Sequence, residues 1–222
     1  LLWTSLSDIK GQLDPTIMTL AFVFLLIGYG TKIGLVPLHS WLPDAHAEGP
    51  TPVSAVLSGL LLNVAMYAVL RCKVLTDGAL GTQMAGQLMM GFGLLSVVVA
   101  AFFLSRQKDV KRMFSYSSIE HMGLITFAFG MGGPVASFAG LLHMMVHSLV
   151  KSAIFFTVGH ATQKAGTQVM SEIRGLIKVN PTVGWGLMLG VMAILGMPPF
   201  GVFASEFLIL TTAMREQPWA TP

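Results

Sequence analysis

The sequence predicts an all-α protein, a polytopic transmembrane helical bundle with about six spans, two of them broken. Three observations predict it. The 222 residues are 54% hydrophobic and 10% charged, with a mean hydropathy of +0.72, whereas a soluble domain carries about a quarter charged residues. Apolar runs near twenty residues, the length a helix needs to cross hydrocarbon, follow one another along the chain. The first and last runs are overlong and interrupted by glycine and proline. Such breaks are tolerated at membrane depth only where the backbone is buried in protein or lines a wet cavity.

The spans fall at 16–38, 51–70, 84–104, 113–131, 135–159 and 181–212. The first is broken around Gly34, Pro37 and Pro43, and the last around Pro198, Pro199 and Gly201. Excluding Lys32 and Lys151, the loops after the first, third and fifth spans hold seven lysines and arginines, from Arg106 to Lys178, against four on the other side. The richer side is expected to be cytoplasmic. The four tryptophans fit interfacial anchoring. The net charge of +3 sits mostly in short loops, so it speaks to orientation and not to nucleic acid. A single cysteine, Cys72, excludes an internal disulfide and a cysteine-based iron–sulfur or zinc site. No segment resembles a signal peptide. The chain starts without methionine at Leu1 and stops just beyond an apolar span, which reads as an internal fragment.

Ionisable residues inside such spans are costly and mark ion or proton pathways by default. Lys32 lies about halfway along 16–48, at the break. A snorkelling lysine belongs nearer a helix end, so Lys32 is read as a buried carrier able to take and release a proton. His143, His147 and Lys151 recur at i, i+4 and i+8. A helix places them on one face, about 6 Å apart per step. The stripe reads as a proton relay, with structural hydrogen bonding and metal binding as alternatives. Metal would need a third ligand, to which the sequence does not point. Glu206 follows the second break, where a carboxylate needs a cation, a water or its own proton. It could also cap the restarted half-helix. Glu120 and His121, in SYSSIEHMG, open the fourth span and suit an interfacial or capping role. His39, Asp44, His46 and Glu48 read as a stiff acid-and-imidazole loop, a connector and proton-access surface.

The string GTKIGLVPLHSWLPDAHAEGPTPVSAVLSGLLLNVAMYAVLR resembles the seventh and eighth helices of antiporter-like subunits in respiratory complex I, multisubunit Na⁺/H⁺ antiporters and membrane-bound hydrogenases. DVKRMFSYSSIEHMG, LLHMMVHSLVKSAIFFTVGH and LGMPPFGVFASEFLIL look like the ninth-to-twelfth helix region, in the right order. Within that family, GYGTK, IEHMG and SEFLIL look most like the F component of hydrogenase-4, a formate-hydrogenlyase-type complex.

The resemblance implies roles residue by residue. Lys32 matches the lysine of the broken seventh helix, and Lys151 with His143 and His147 matches the stripe of the eleventh. Glu206 matches an acid that one branch carries on its broken twelfth helix. Asn63 stands where many relatives place a bridging lysine or histidine. An asparagine cannot carry a proton, though it can hold a water that does. The family's acid partner for Lys32, on the fifth helix, would lie upstream of Leu1. The resemblance also implies inverted repeats. Within one translocating domain over 1–222, the end of the first repeat covers about 1–72 and most of the second about 82–222.

By the same resemblance, the function is that of a subunit moving H⁺, or Na⁺, within a redox-driven complex in a prokaryotic inner membrane. No site for flavin, nickel, haem or iron–sulfur is visible in this chain. Iron–sulfur clusters and a NiFe centre or flavin are therefore expected on peripheral partner subunits, beside other membrane subunits. The alternatives are a complex I subunit, a multisubunit or standalone antiporter, a passive membrane scaffold, and an intramembrane enzyme with His143 and His147 as metal ligands.

Overall fold

A computed structural model describes residues 2–217, and every regular element in that range is helical. Helix α1 (Trp3–Asp8) and a short 3-10 turn lead into α2 (Pro15–Ile33). Asp14 starts α2 by accepting from the Ile17 amide at 2.9 Å, and Pro15 occupies the first turn, where a missing N–H costs nothing. The face that α2 buries is Phe22, Leu26, Gly30 and Ile33.

The first break begins at Gly34, in the left-handed region at φ 85°. A continuing helix would need an amide from Pro37 to reach the Ile33 carbonyl, and proline has none. The freed groups find other partners. The Gly34 and Leu35 amides both return to the Gly30 carbonyl at 2.9 Å, and the Val36 amide donates to Ser96 Oγ at 2.9 Å. The Trp41 indole donates to the Thr31 carbonyl at 2.7 Å. That tryptophan therefore seals the break, whereas Trp219 lies outside the described residues.

The segment expected to be an acidic loop is instead a helix, α3 (Trp41–Glu48). Pro43 does not prevent it, because it stands in the first turn. Arg112 fastens α3 through Asp44 at 2.7 Å and reaches Glu48 at 3.9 Å.

The next rod runs Thr51–Leu80. It comprises α4 (Thr51–Val56), a π turn (Leu57–Leu61) and α5 (Leu62–Leu80). The π turn has a visible cause. The Gly59 carbonyl accepts from Ser148 Oγ at 2.6 Å and from Asn63 Nδ2 at 3.3 Å, so it is drawn off the helical ladder.

Helices α6 (Met84–Leu104) and α7 (Val110–Met131) pack extensively against each other. Glycines face each other there: a methyl on Gly93 would meet the Gly123 carbonyl at 2.7 Å, and one on Gly123 would meet the Gly93 carbonyl at 2.8 Å. This is the small-residue contact that lets membrane helices touch backbone to backbone. Gly123→Ala is expected to destabilise the protein. Overpacking costs about 1–3 kcal/mol, against about 1 kcal/mol gained in helix propensity. Thermal unfolding in detergent checks this with Gly91→Ala as control, because a methyl at Gly91 meets nothing within 4 Å. The first variant should melt lower than the wild type and the control should not.

Helix α8 (Gly133–Ala165) is 33 residues long, and α9 (Leu176–Val179) precedes the second broken span. That span is α10 (Pro181–Ile194), a break with Gly196 at φ 63°, and α11 (Gly201–Glu216). It repeats the device of the first, because a helix continuing past Ile194 would need an amide from Pro198.

Among the described residues, four helices are long and apolar enough to cross a membrane: Pro15–Ile33, Thr51–Leu80, Met84–Leu104 and Gly133–Ala165. Helix α7, at 22 residues, has the length but carries Lys111, Arg112 and Glu120. The half-helices α10 and α11, of 14 and 16 residues, fall at the sixth expected span.

The loops counted as one side do meet at one end. The Val110 amide donates to the Gln168 carbonyl at 3.0 Å, Lys111 Nζ donates to the Gly49 carbonyl at 3.2 Å, and Gln168 Nε2 donates to the Ala47 carbonyl at 3.2 Å.

Candidate functional site

The stripe on α8 is buried as its spacing requires: His143, His147 and Lys151 are each 0% exposed. Lys151 Nζ donates to the Phe114 carbonyl at 2.8 Å and lies 5.6 Å from the centre of the Phe114 ring. His147 is different. Neither of its ring nitrogens has a hydrogen-bond partner among the described residues.

The first correction concerns Glu120 and His121. They do not open a helix. Asp109 accepts from the Arg112 amide at 2.9 Å and caps α7, so the basic stretch Lys111-Arg112 is its first turn and Glu120 and His121 fall near its midpoint. His121 is 4% exposed and packs against α8: its Nδ1 is 2.9 Å from His143 Nε2, and its ring is 5.5 Å from that of His147. Glu120 lies within electrostatic range of both Lys151 and Glu206.

The second correction concerns Glu206. It stands in the second turn of α11, whose first turn has no side-chain cap. Its carboxylate turns to His121, with Oε1 3.7 Å from Nδ1. The chain bends tightly around it. A methyl on Gly196 would collide with the Glu206 carboxylate, which therefore rests against the backbone of the break.

The break also supplies an acceptor. The Ile194 carbonyl, left without a helical donor, lies near the His121 ring. His143 Nδ1 meets Ser205 Oγ at 2.9 Å. Ser205 Oγ can alternatively donate to the Val202 carbonyl at 2.9 Å or the Gly201 carbonyl at 3.2 Å. With neutral rings, one directed chain runs through the cluster: Ser205 donates to His143, and His143 donates to His121. When His143 Nδ1 carries a proton, the hydroxyl turns to Val202 and accepts instead. The network therefore has a donor order that can be rewritten without moving a helix.

The fold also makes a grouping other than the His143 and His147 pair: His121, His143 and Glu206, without His147, place one ligand atom each within 4.8 Å of one another. They come from three different helices, so no linear spacing could announce them.

Lys32 is not buried among the described residues. The stripe Phe22, Leu26, Gly30 and Ile33 faces the core, and position 32 points away from it. Lys32 lines a groove of about 800 Å³ with Tyr29, Tyr67 and Arg71, on the far side of the α4–α5 rod from the histidines. Asn63 lies between the two regions. Its Nδ2 donates to the Met144 carbonyl at 3.2 Å and to Ser148 Oγ at 2.5 Å. His39 belongs to neither: its ring lies 6.2 Å from that of Phe103 and 6.3 Å from that of Tyr116.

Two residues extend the buried run toward the basic end. His46 is 0% exposed, stacks on Phe155 at 4.8 Å and lies within electrostatic range of Lys151 and Lys111. Lys111 is 7% exposed and reaches a cavity of about 690 Å³ lined by Thr51, Thr162 and Gln168. The signal for Lys111 was available: Lys111, Ser118 and His121 share a helical face with Phe114, at steps of three and four.

Together these features define an antiporter-like subunit, an integral multi-pass membrane protein. Residues 3–221 match the family described as NADH:quinone oxidoreductase/Mrp antiporter, TM, and the chain belongs to that family. It is 56% identical over 216 residues to the hydrogenase-4 component F homolog of Methylacidiphilum infernorum (isolate V4), covering 97% of this chain and 45% of that one. It is 34% identical over 196 residues to NAD(P)H-quinone oxidoreductase chain 4 of Gloeobacter violaceus (strain ATCC 29082 / PCC 7421), covering 88% and 37%. Its fold matches a chain of the membrane-bound sulfane sulfur reductase, an archaeal respiratory membrane complex, with a TM-score of 0.90 and 30% identity over 97% of this chain and 45% of that one. The chain spans less than half the length of these relatives.

Proposed function

We propose that this chain moves protons through the membrane arm of a redox-driven complex of the hydrogenase-4 type. The single observation that carries this reading is the buried polar run across α3, α7, α8 and α11. It passes from Glu206 through His121, His143 and His147 to Lys151, and on through His46 to Lys111. Charge inside a bilayer is expensive and is kept for ion pathways, and no bland packing role accounts for so many titratable groups in one line. Glu206, whose side chain is 25% exposed, forms one mouth. The cavity at Lys111 forms the other, on the side with more basic residues.

Each member suits a handover. Ser205 can follow the state of His143 by turning its hydroxyl. His147, with both nitrogens uncommitted, suits a group that takes a proton on one side and passes it on through water. Lys32 and Asn63 serve a second arm of the path, entered from the groove between α2 and α5. The energy comes from partner subunits that carry iron–sulfur clusters and a NiFe centre or flavin, in a prokaryotic inner membrane.

Glu206→Gln tests the reading. It keeps the shape of the side chain and removes its ability to carry a proton. Proton pumping by the assembled full-length complex in vesicles should fall at least about tenfold, corresponding to roughly 1.4 kcal/mol on the limiting barrier. Normal pumping by a normally assembled variant would sink the proposal.

A further inference from the structure

The geometry points to a binding site for a divalent transition-metal ion of the zinc class, held by His121, His143 and Glu206 at the break between α10 and α11. His121 Nδ1 and His143 Nε2 face each other at 2.9 Å, Glu206 Oε1 is 3.7 Å from His121 Nδ1, and the ligand atoms of all three residues lie within 4.8 Å. A tetrahedral ion with bonds of about 2.0–2.1 Å needs its ligands roughly 3.3 Å apart. The rings therefore part by a few tenths of an ångström and Glu206 moves inward. Glu206 is the member free to do so, and its partial exposure gives the ion a way in.

The surroundings are arranged for that ligation. A histidine that binds metal through one nitrogen usually donates from the other to a fixed acceptor, which sets its tautomer. The His143 ring has such an acceptor, and a freed carbonyl lies near the His121 ring. His143 Nδ1 meets Ser205 Oγ at 2.9 Å, whose own proton can go to the Val202 carbonyl. The Ile194 carbonyl, freed by the break, lies near the His121 ring. With those far nitrogens protonated, both near nitrogens present lone pairs to the same point. Two imidazoles and one carboxylate select zinc, cobalt or nickel over magnesium or calcium, which prefer all-oxygen sites. A fourth position remains for water.

The site needs no assumption about transport. Its effect on transport rests on the proposed relay, because the ion would occupy the lone pairs that a moving proton uses. Zn²⁺ would then inhibit pumping, and a chelator would restore it.

Co²⁺, which reports tetrahedral coordination through its visible absorption, is the probe. The purified full-length protein in detergent should bind one Co²⁺ saturably with a tetrahedral spectrum. His121→Gln and Glu206→Gln should abolish that spectrum, with an unchanged elution profile on gel filtration showing that each variant remains folded. Ser205→Ala should weaken binding by about tenfold, the usual effect of removing a supporting hydrogen bond. The absence of a tetrahedral spectrum in the wild type would overturn the site, as would a spectrum that survives in folded Glu206→Gln and His121→Gln. The two readings fail separately. A Co²⁺ site in a complex whose pumping ignores saturating Zn²⁺ would keep the metal site and count against the relay. Pumping lost in Glu206→Gln, in a protein that binds no Co²⁺, would keep the relay and remove the metal site.

Discussion

Lys151→Met should abolish proton movement by the assembled complex while leaving the protein folded. The expectation combines position with energetics. Lys151 is fully buried, and it stands between the histidine cluster and His46 with Glu120 within electrostatic range. The substitution keeps the length of the side chain and its apolar stem. It orphans no acceptor, since the Phe114 carbonyl still receives Ser118 Oγ at 3.1 Å. It also removes a group whose charge is costly to desolvate, so stability should be unchanged or improved. Vesicle acidification measured beside complex abundance separates the two quantities. Pumping retained at normal abundance would show that protons bypass α8.

Lys32→Met carries the second large effect. In α2 the lysine occupies the last turn, where a cation complements the helix dipole by about 0.3–1 kcal/mol. If that were its whole role, the variant would lose a little stability and pump normally. As a carrier it should cost at least about tenfold in pumping, roughly 1.4 kcal/mol on the barrier. Lys32→Arg sharpens the comparison, because arginine keeps the dipole interaction but does not release its proton. Loss of pumping in both variants marks a carrier, and normal pumping in both removes Lys32 from the path.

Much of the architecture was legible because it is written in local chemistry. Glycine and proline together marked both breaks, the order of the spans followed from apolar length, and the i, i+4, i+8 spacing put His143, His147 and Lys151 on one buried face. What escaped depended on neighbours distant in sequence. The stretch Asp109–Arg112 read as a basic loop, although its aspartate is a helix cap, and this misplaced Glu120 and His121. The burial of Lys32 was overestimated because its depth along the span was considered without its angle around the helix. The grouping of His121, His143 and Glu206 needs three helices to meet, and no spacing on any one of them encodes it.

The π turn at Leu57–Leu61 has a geometric consequence for the rod that contains it. In an uninterrupted α-helix, residues five apart diverge by about 140° around the axis. A turn closed by i→i+5 bonds brings them back into near alignment. Ser58 and Asn63 are five apart, and both look toward the same cleft: Ser58 meets Ser118 of α7 at 2.8 Å, and Asn63 meets Ser148 of α8. Deleting one residue from this turn would leave the rod helical yet change its phase, so that only one of those two hydroxyl contacts could survive. The wide turn thus works as an indexing device, setting the azimuth of the lower half of the rod against the upper and aiming two polar side chains at one line of helices.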